Sequence, residues 1–238
     1  MLQVRKVCKK FGGLWALQEV DMEVSKGNIF GLIGPNGAGK TTLFNVITGF
    51  YHCSSGNIQF EGKEITRKKS FEISRLGICR TFQIVKPFKN MTLLENTMIG
   101  ALSKVKKVPQ AMERARETLQ MVGLADRQNS LAGSLTVSDR KRLEIARALA
   151  SQPKLLFLDE VMSGLRPTEV SETIDLIQKI HNFGITIVII EHIMSAIMRL
   201  CDRIIVLHHG QKIGEGSPKE ISKNASVIQA YLGEDYVV

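Results

Sequence analysis

The stretch IFGLIGPNGAGKTTLFNVI, residues 29–47, decides the fold. An apolar run of strand length enters it, and a helical pattern that continues to Phe50 leaves it. Between them, Gly34 to Thr41 matches G-x-x-x-x-G-K-[ST] in the strand–loop–helix setting that a phosphate-binding loop requires. Glycines let backbone wrap closely around phosphate oxygens. The N–H groups of such a loop, and the helix N-terminus behind it, favour anions. Lys40 can reach β- and γ-phosphates, and the Thr41 hydroxyl can ligate Mg²⁺. The candidate nucleotide-binding residues are therefore Gly34, Pro35, Asn36, Gly37, Ala38, Gly39, Lys40, Thr41 and Thr42.

Upstream, Val20, Met22 and Val24 alternate with charged residues, and Lys26-Gly27-Asn28 turns the chain into the apolar run. Downstream, SSGNIQFEGKEI (54–65) is another turn-rich strand region. From about residue 88 to 150 the period becomes helical. Thr92 and Glu95 fit a capping box, Met112, Ala115, Leu119 and Val122 recur at helical spacing, and Gly123 suits the stop. Strand and helix signals then alternate: LLFLDE (155–160), a helix from Pro167 to His181 with Gly184 as its stop, ITIVIIE (185–191), a helix near MSAIMRLC (194–201) and RIIVLHH (203–209). Such alternation predicts a parallel sheet with crossover helices, and the helical block reads as an insertion into an α/β core. One domain spans 1–238, with parts at 1–87, 88–150 and 151–238.

The apolar and charged fractions, 44% and 23%, are ordinary for a globular chain and argue against disorder. No apolar run approaches the roughly 20 residues that span a bilayer, and the N-terminus lacks the apolar stretch of a secretory signal. Cys8, Cys53, Cys79 and Cys201 have no C-x-x-C spacing and read as reduced core thiols of a cytosolic protein. The net charge of +9 favours polyanions in general but selects none. The clusters Arg67-Lys68-Lys69, Lys104-Val105-Lys106-Lys107 and Arg140-Lys141-Arg142 read as solvated faces.

The run LLFLDE supplies the second chemical signal. Four apolar residues ending in two carboxylates suit a buried strand whose carboxyl end faces ligand. Asp159 would hold Mg²⁺ directly or through water. Glu160 would orient or deprotonate the attacking water.

The loop 34–41, Gln83 in RTFQ, RKRLEIARAL (140–149), LLFLDE and His192 in IIEHIM (189–194) stand in the order of an ABC-type ATP-binding subunit, and the resemblance covers nearly the whole chain. KTTLFNVITGF (40–50), GICRTFQIVKPF (77–88), TLLEN (92–96), LCDRIIVL (200–207) and IQAYLGE (228–234) further resemble ATP-binding subunits of branched-chain amino acid importers. The resemblance implies a P-loop NTPase (RecA-like) α/β core with an N-terminal antiparallel β-subdomain and an inserted α-helical subdomain. It implies ATP and Mg²⁺ as ligands. Phe11 matches the aromatic that stacks on adenine, with Trp15 as the competing ring. Gln83 matches the glutamine that contacts Mg²⁺ and the attacking water and relays the site to membrane subunits. His192 matches the histidine on the γ-phosphate. The other histidines, including His208 and His209, read as structural.

Two segments depart from the family pattern. Where the family has LSGGQ, this chain has Leu135-Thr136-Val137-Ser138-Asp139. Thr136 keeps the hydroxyl and Ser138 can still supply an N–H, so both remain candidates for a phosphate of the opposite subunit's ATP. Val137 restricts the backbone, and Asp139 adds a negative charge near an anion. The competing reading makes Thr136 and Asp139 a simple helix cap. After the two carboxylates, Ser163-Gly164-Leu165-Arg166 ends in a cation where the family has aspartate or asparagine. Together these changes predict that one of two composite ATP sites is weaker than usual.

The resemblance implies two subunits that sandwich two ATP molecules head to tail, closing on ATP and reopening on hydrolysis. The motion would pass to transmembrane permease subunits near Gln83 and Lys86 to Leu102. A heterodimer with a second ABC ATP-binding subunit is favoured over a homodimer. An extracytoplasmic solute-binding protein would act indirectly, and the chain would sit peripherally on the cytoplasmic face of the inner membrane. Three alternatives stand beside this reading: another cargo (urea, amides or lipopolysaccharide), a weakly hydrolysing regulatory partner, and a nucleic-acid-associated ABC ATPase. The last usually carries tandem cassettes, long coiled coils or zinc insertions, which this sequence lacks, so no nucleic acid is expected.

Overall fold

The computed structural model describes residues 1–82 and 86–232 of the 238-residue chain. In chain order the strands are β1 (Leu2–Phe11), β2 (Leu14–Val24), β3 (Ile29–Ile33), β4 (Ser55–Phe60), β5 (Lys63–Glu64), β6 (Ile78–Arg80), β7 (Leu155–Asp159), β8 (Thr186–Ile190), β9 (Arg203–His208) and β10 (Gln211–Gly216). The α-helices are α1 (Lys40–Ile47), α2 (Ser70–Leu76), α3 (Leu93–Leu102), α4 (Val108–Met121), α5 (Val137–Ala150), α6 (Pro167–Asn182), α7 (Met194–Leu200), α8 (Pro218–Ile221) and α9 (Ala225–Leu232). The chain forms two compact units, Met1–Ile73 with Thr186–Val238, and Ser74–Ile185.

The first unit holds an antiparallel sheet in the order β2-β1-β4-β5. Its alternation is interrupted rather than strict. Leu2 and Val4 are buried, and then Val7. Lys6 and Glu19, both at positive φ, mark two of the three places where β1 and β2 slip register; the third lies between Lys9 and Lys10. Each bulge takes up one extra residue and returns the apolar side chains to the buried face. The same unit carries β10, β9, β3 and β8 side by side. β3 runs parallel to both β8 and β9, and all five of its residues are buried. That burial is why its sequence is continuously apolar instead of alternating.

The second unit pairs β6 with β7 in parallel and carries α3, α4, α5 and α6. Thr92 and Glu95 form the expected capping box on α3. Asn96 is fully buried, yet its amide is well used: it accepts from Phe88 N–H and donates to the carbonyls of Phe88, Met91 and Thr92. The helices meet through small residues, Ala101, Ala111 and Ala150. A Cβ at Gly100 would lie 2.1 Å from the Arg147 carbonyl, so glycine permits this approach of α3 to α5. Gly123 and Gly184, at positive φ, follow α4 and α6 as the sequence anticipates. No helix among the described residues is long and apolar enough to cross a membrane.

All four cysteines are free; Cys8, Cys79 and Cys201 are buried and Cys53 is partly exposed. Burial pushes the Cys201 thiol up to about 12, so it stays protonated at neutral pH. A thiol reagent at pH 8 is therefore expected to modify one cysteine, Cys53, in the native protein and four after denaturation. Mass spectrometry of the labelled peptides checks this.

Candidate functional site

In the first unit, Leu32 of β3 is registered with Ile190 of β8, and Ile33 with Val206 of β9. Gly34 and His192 therefore follow neighbouring strands at the same, carboxyl end, where open α/β sheets bind ligands. The loop is clamped from behind. A Cβ on Gly34 (φ 148°) would lie 2.1 Å from the Leu207 carbonyl oxygen, and one on Gly39 (φ 100°) would lie 2.6 Å from that of Ala16. Gly210 N–H donates to the Ala38 carbonyl at 3.0 Å, and Gln18 N–H donates to Gly210 at 2.8 Å. The turn after β9 and the strand β2 thus fix the back of the loop. Asn36 and Gly37 form its exposed crest, Pro35 is half-buried, and no atom lies within 4 Å of a Cβ on Gly37.

Lys40 is buried, and a buried ammonium needs acceptors. Its Nζ donates to the carbonyls of Gly34 at 2.7 Å and Pro35 at 2.9 Å. The helix that starts at Lys40 has glycine at its N-cap, no side-chain cap and no acidic residue in its first turn. Its positive end is left for a ligand anion rather than for a carboxylate of its own first turn. Thr41 and Thr42 lie half-buried in that first turn.

Phe11 ends β1 and is exposed. The Tyr51 ring meets it edge-on at 5.2 Å, and Lys9 Nζ sits 4.8 Å from the Phe11 ring centroid. Lys9 also donates to the His52 carbonyl at 2.8 Å. Trp15 is exposed on β2 beneath Lys10 Nζ, 5.2 Å from its centroid. The phenol of Tyr231 on α9 is pushed up by burial, an effect partly offset by the backbone of Gly34. His192 is exposed. Gln83 lies outside the described residues.

In the second unit, β7 ends at Asp159, which is buried. Its backbone N–H donates to Thr81 Oγ1 at 3.1 Å, and its Oδ2 takes Arg80 Nη2 at 3.0 Å. Burial pulls the Arg80 guanidinium below its usual range, and the Asp159 charge opposes that. Arg80 also lies over the Phe82 ring, 4.7 Å from its centroid. Glu160, the next residue, has φ 50°, a left-handed conformation that costs a side-chain-bearing residue on the order of 1 kcal/mol or more. Its carbonyl accepts from Ser163 N–H at 3.3 Å and from Lys141 Nζ at 2.6 Å.

At the start of α5, Thr136 is the N-cap. Its Oγ1 accepts from Asp139 N–H at 3.2 Å and donates to Asp139 Oδ2 at 2.9 Å. Arg127 pairs with the same carboxylate oxygen. The Asp139 charge is thus met by a cation within the unit. Thr136 and Val137 are exposed, whereas Ser138 is buried. Arg166, at the N-cap of α6, pairs its exposed guanidinium with Glu169, which also accepts from Arg166 N–H.

The donor chemistry fits Mg²⁺. Thr41 and Asp159 offer a hydroxyl and a carboxylate, both hard oxygen ligands. Among the described residues no three His, Cys, Asp or Glu side chains gather into a metal site. Mg²⁺ characteristically keeps water and substrate phosphates for most of its shell and takes few protein oxygens.

Three contributors were not read from the sequence: Arg80, Arg127 and Lys141. Arg80 had a signal, a cation ending an otherwise apolar strand. Arg127 and Lys141 had none, since each meets its partner through the tertiary fold. The cluster Arg140-Lys141-Arg142 is not a purely solvated face: Lys141 binds the Glu160 carbonyl and Arg142 pairs with Glu172.

Residues 17–163 match the ABC transporter family, and residues 211–237 match a second family, described as branched-chain amino acid ATP-binding cassette transporter. The high-affinity branched-chain amino acid transport ATP-binding protein LivG of Salmonella typhimurium is 40% identical over 98% of both chains. A cassette of an ABC transporter in its ADP conformation superposes with a TM-score of 0.90 at 35% identity, covering 98% of this chain and 99% of that one. A dimeric ATP-binding cassette in a post-hydrolysis state, bound to ADP and Pi, superposes at 0.82 with 25% identity, covering 92% of this chain and 99% of the other.

Removing Arg80 takes a cationic partner from the buried Asp159 carboxylate, a loss that typically costs about 3–5 kcal/mol. Arg80→Ala is expected to lower the unfolding free energy by about 3 kcal/mol or more. Denaturant titration measures this, and an unchanged midpoint would mean that other groups carry the Asp159 charge.

Proposed function

Because the chain belongs to the ABC transporter ATP-binding family, we propose that it is the ATP-hydrolysing subunit of an importer for branched-chain or related amino acids. The observation that carries the nucleotide reading is the clamped loop 34–41, with Lys40 seated on its carbonyls and an uncapped helix N-terminus behind it. The cargo reading is supported by the match at 211–237 and by the relative aligned along nearly its whole length.

In this reading Phe11 stacks on adenine. Gly34, Pro35, Asn36, Gly37, Ala38 and Gly39 wrap the phosphates, with Thr42 in the first turn behind them. Lys40 leaves its two carbonyls to neutralise charge on the β- and γ-phosphates. Thr41, Asp159 and Gln83 are the proposed ligands of Mg²⁺, which when bound supplies charge neutralisation at the phosphate oxygens. Glu160 orients the attacking water or takes its proton as the new P–O bond forms and the β–γ bridging bond breaks. His192 hydrogen-bonds the γ-phosphate. Catalysis is positioning and electrostatic stabilisation, with no covalent step by the protein.

ABC importer cassettes act as dimers with transmembrane permease subunits. The finer proposal is a heterodimer, in which Thr136 and Ser138 face the nucleotide of a second, different cassette. Exposed Val137, buried Ser138 and the Arg166–Glu169 pair support unequal composite sites. Residues 88–150 would be the helical subdomain that meets the permease. The chain would lie peripherally on the cytoplasmic membrane face and serve an extracytoplasmic solute-binding protein indirectly.

Purified chain, alone and reconstituted with its permease, should hydrolyse ATP in a Mg²⁺-dependent way. Lys40→Ala and Glu160→Gln are each expected to lower kcat by about 10²-fold or more. Tight ATP binding with no turnover above the variants would make the chain a non-catalytic partner. In proteoliposomes, ATP-driven uptake of leucine rather than urea is the expected cargo result.

A further inference from the structure

Glu160 is the first residue after a strand that is held on both sides. Before it, Thr81 and Arg80 secure Asp159. At Glu160 itself the backbone turns left-handed, a conformation that persists only where the surroundings impose it. Two donors converge on its carbonyl. Ser163 N–H closes the following turn at 3.3 Å, a long bond for an amide donor. Lys141 Nζ, a charged donor, approaches to 2.6 Å and is the stronger of the two by geometry and by charge.

Lys141 sits two residues after Asp139, in the first turns of α5. The start of that helix is itself fixed by the Thr136 cap and by the Arg127–Asp139 pair. A rigid helix end therefore reaches across 19 residues of sequence to grip the backbone of the proposed base.

We propose that Lys141 is a positioning residue for Glu160: by binding the Glu160 carbonyl it holds the left-handed backbone that aims the carboxylate. The inference rests on the reading of Glu160 as the base. In this role Lys141 need touch neither substrate nor reacting atoms. It acts through peptide orientation, since rotating that peptide swings the Glu160 side chain. It also makes the start of α5 and the base move as one piece.

The test uses the full chain assembled with its permease and compares wild type, Lys141→Met, Lys141→Arg and Glu160→Gln. Methionine keeps the length and apolar stem of lysine and removes the donor. Misplacing a reacting group by about 1 Å can cost up to about 10²-fold, so a partial loss of aim is expected to lower kcat about 10-fold. KM for ATP and the affinity for ADP should stay within about twofold in Lys141→Met, and Lys141→Arg should recover most of kcat. Hydrogen exchange at the Ser163 and Leu165 amides should accelerate in Lys141→Met, a readout that needs no turnover. Wild-type kcat and wild-type exchange in Lys141→Met would overturn the proposal. So would a parallel fall of kcat, ADP affinity and melting temperature that arginine does not rescue, since that is the mark of a merely structural lysine. If Glu160→Gln turns over like wild type, the base is wrongly assigned. If Glu160→Gln is inactive and Lys141→Met is normal, the positioning role alone fails.

Discussion

Two backbone carbonyls, those of Leu207 and Ala16, press so closely on Gly34 and Gly39 that a methyl group would not fit. The phosphate-binding loop owes its shape to this constraint as much as to its own sequence. With its back fixed against the β9 turn and β2, the loop presents only its crest, Asn36 and Gly37, to solvent. Its inner carbonyls then become the acceptors for a buried Lys40, which would otherwise bear the full cost of desolvation. A single steric demand thus links the antiparallel sheet, the parallel strands and the charge that meets phosphate.

The second unit solves a different problem, that of holding carboxylates where their charge is costly. Asp159 is buried beside Arg80, and the guanidinium is in turn covered by Phe82. Pairing one buried charge with another rarely stabilises a fold compared with apolar packing, but it fixes geometry. Here the geometry fixed is that of a strand end followed immediately by Glu160. The Lys141 contact continues the same logic from side chain to backbone. Of the excess cations in this chain, these two are turned inward to organise acids rather than outward to attract a polyanion.

The departures at 135–139 and 166 take on a concrete form in three dimensions. Asp139 does not stand as a bare charge at a helix N-terminus, because Arg127 and the Thr136 hydroxyl both meet it. The hydroxyl proton of Thr136 is therefore engaged, and donation to a phosphate would require it to turn away from Asp139. Arg166 likewise is bound to Glu169 within its own helix start. Each altered charge, Asp139 and Arg166, has a local partner, so a pairing cassette meets charges that are already neutralised within their own segments.

Much of this was legible in the chain itself. The G-x-x-x-x-G-K-T string sits between a strand and a helix because apolar run, glycine loop and helical period are local properties, each set by a few neighbouring residues. The capping box at Thr92, the glycine stops at 123 and 184 and the alternation of strands with helices after residue 150 are of the same kind. What the sequence could not decide was which charge meets which. Arg80 finds Asp159, Arg127 finds Asp139 and Lys141 finds the Glu160 carbonyl across 79, 12 and 19 residues. Periodicity assigns a side chain to a face of its own element, but a long flexible cation can reach any acceptor the fold brings near. Only the tertiary structure chooses among them, because the choice depends on distance and desolvation in space and not on spacing along the chain.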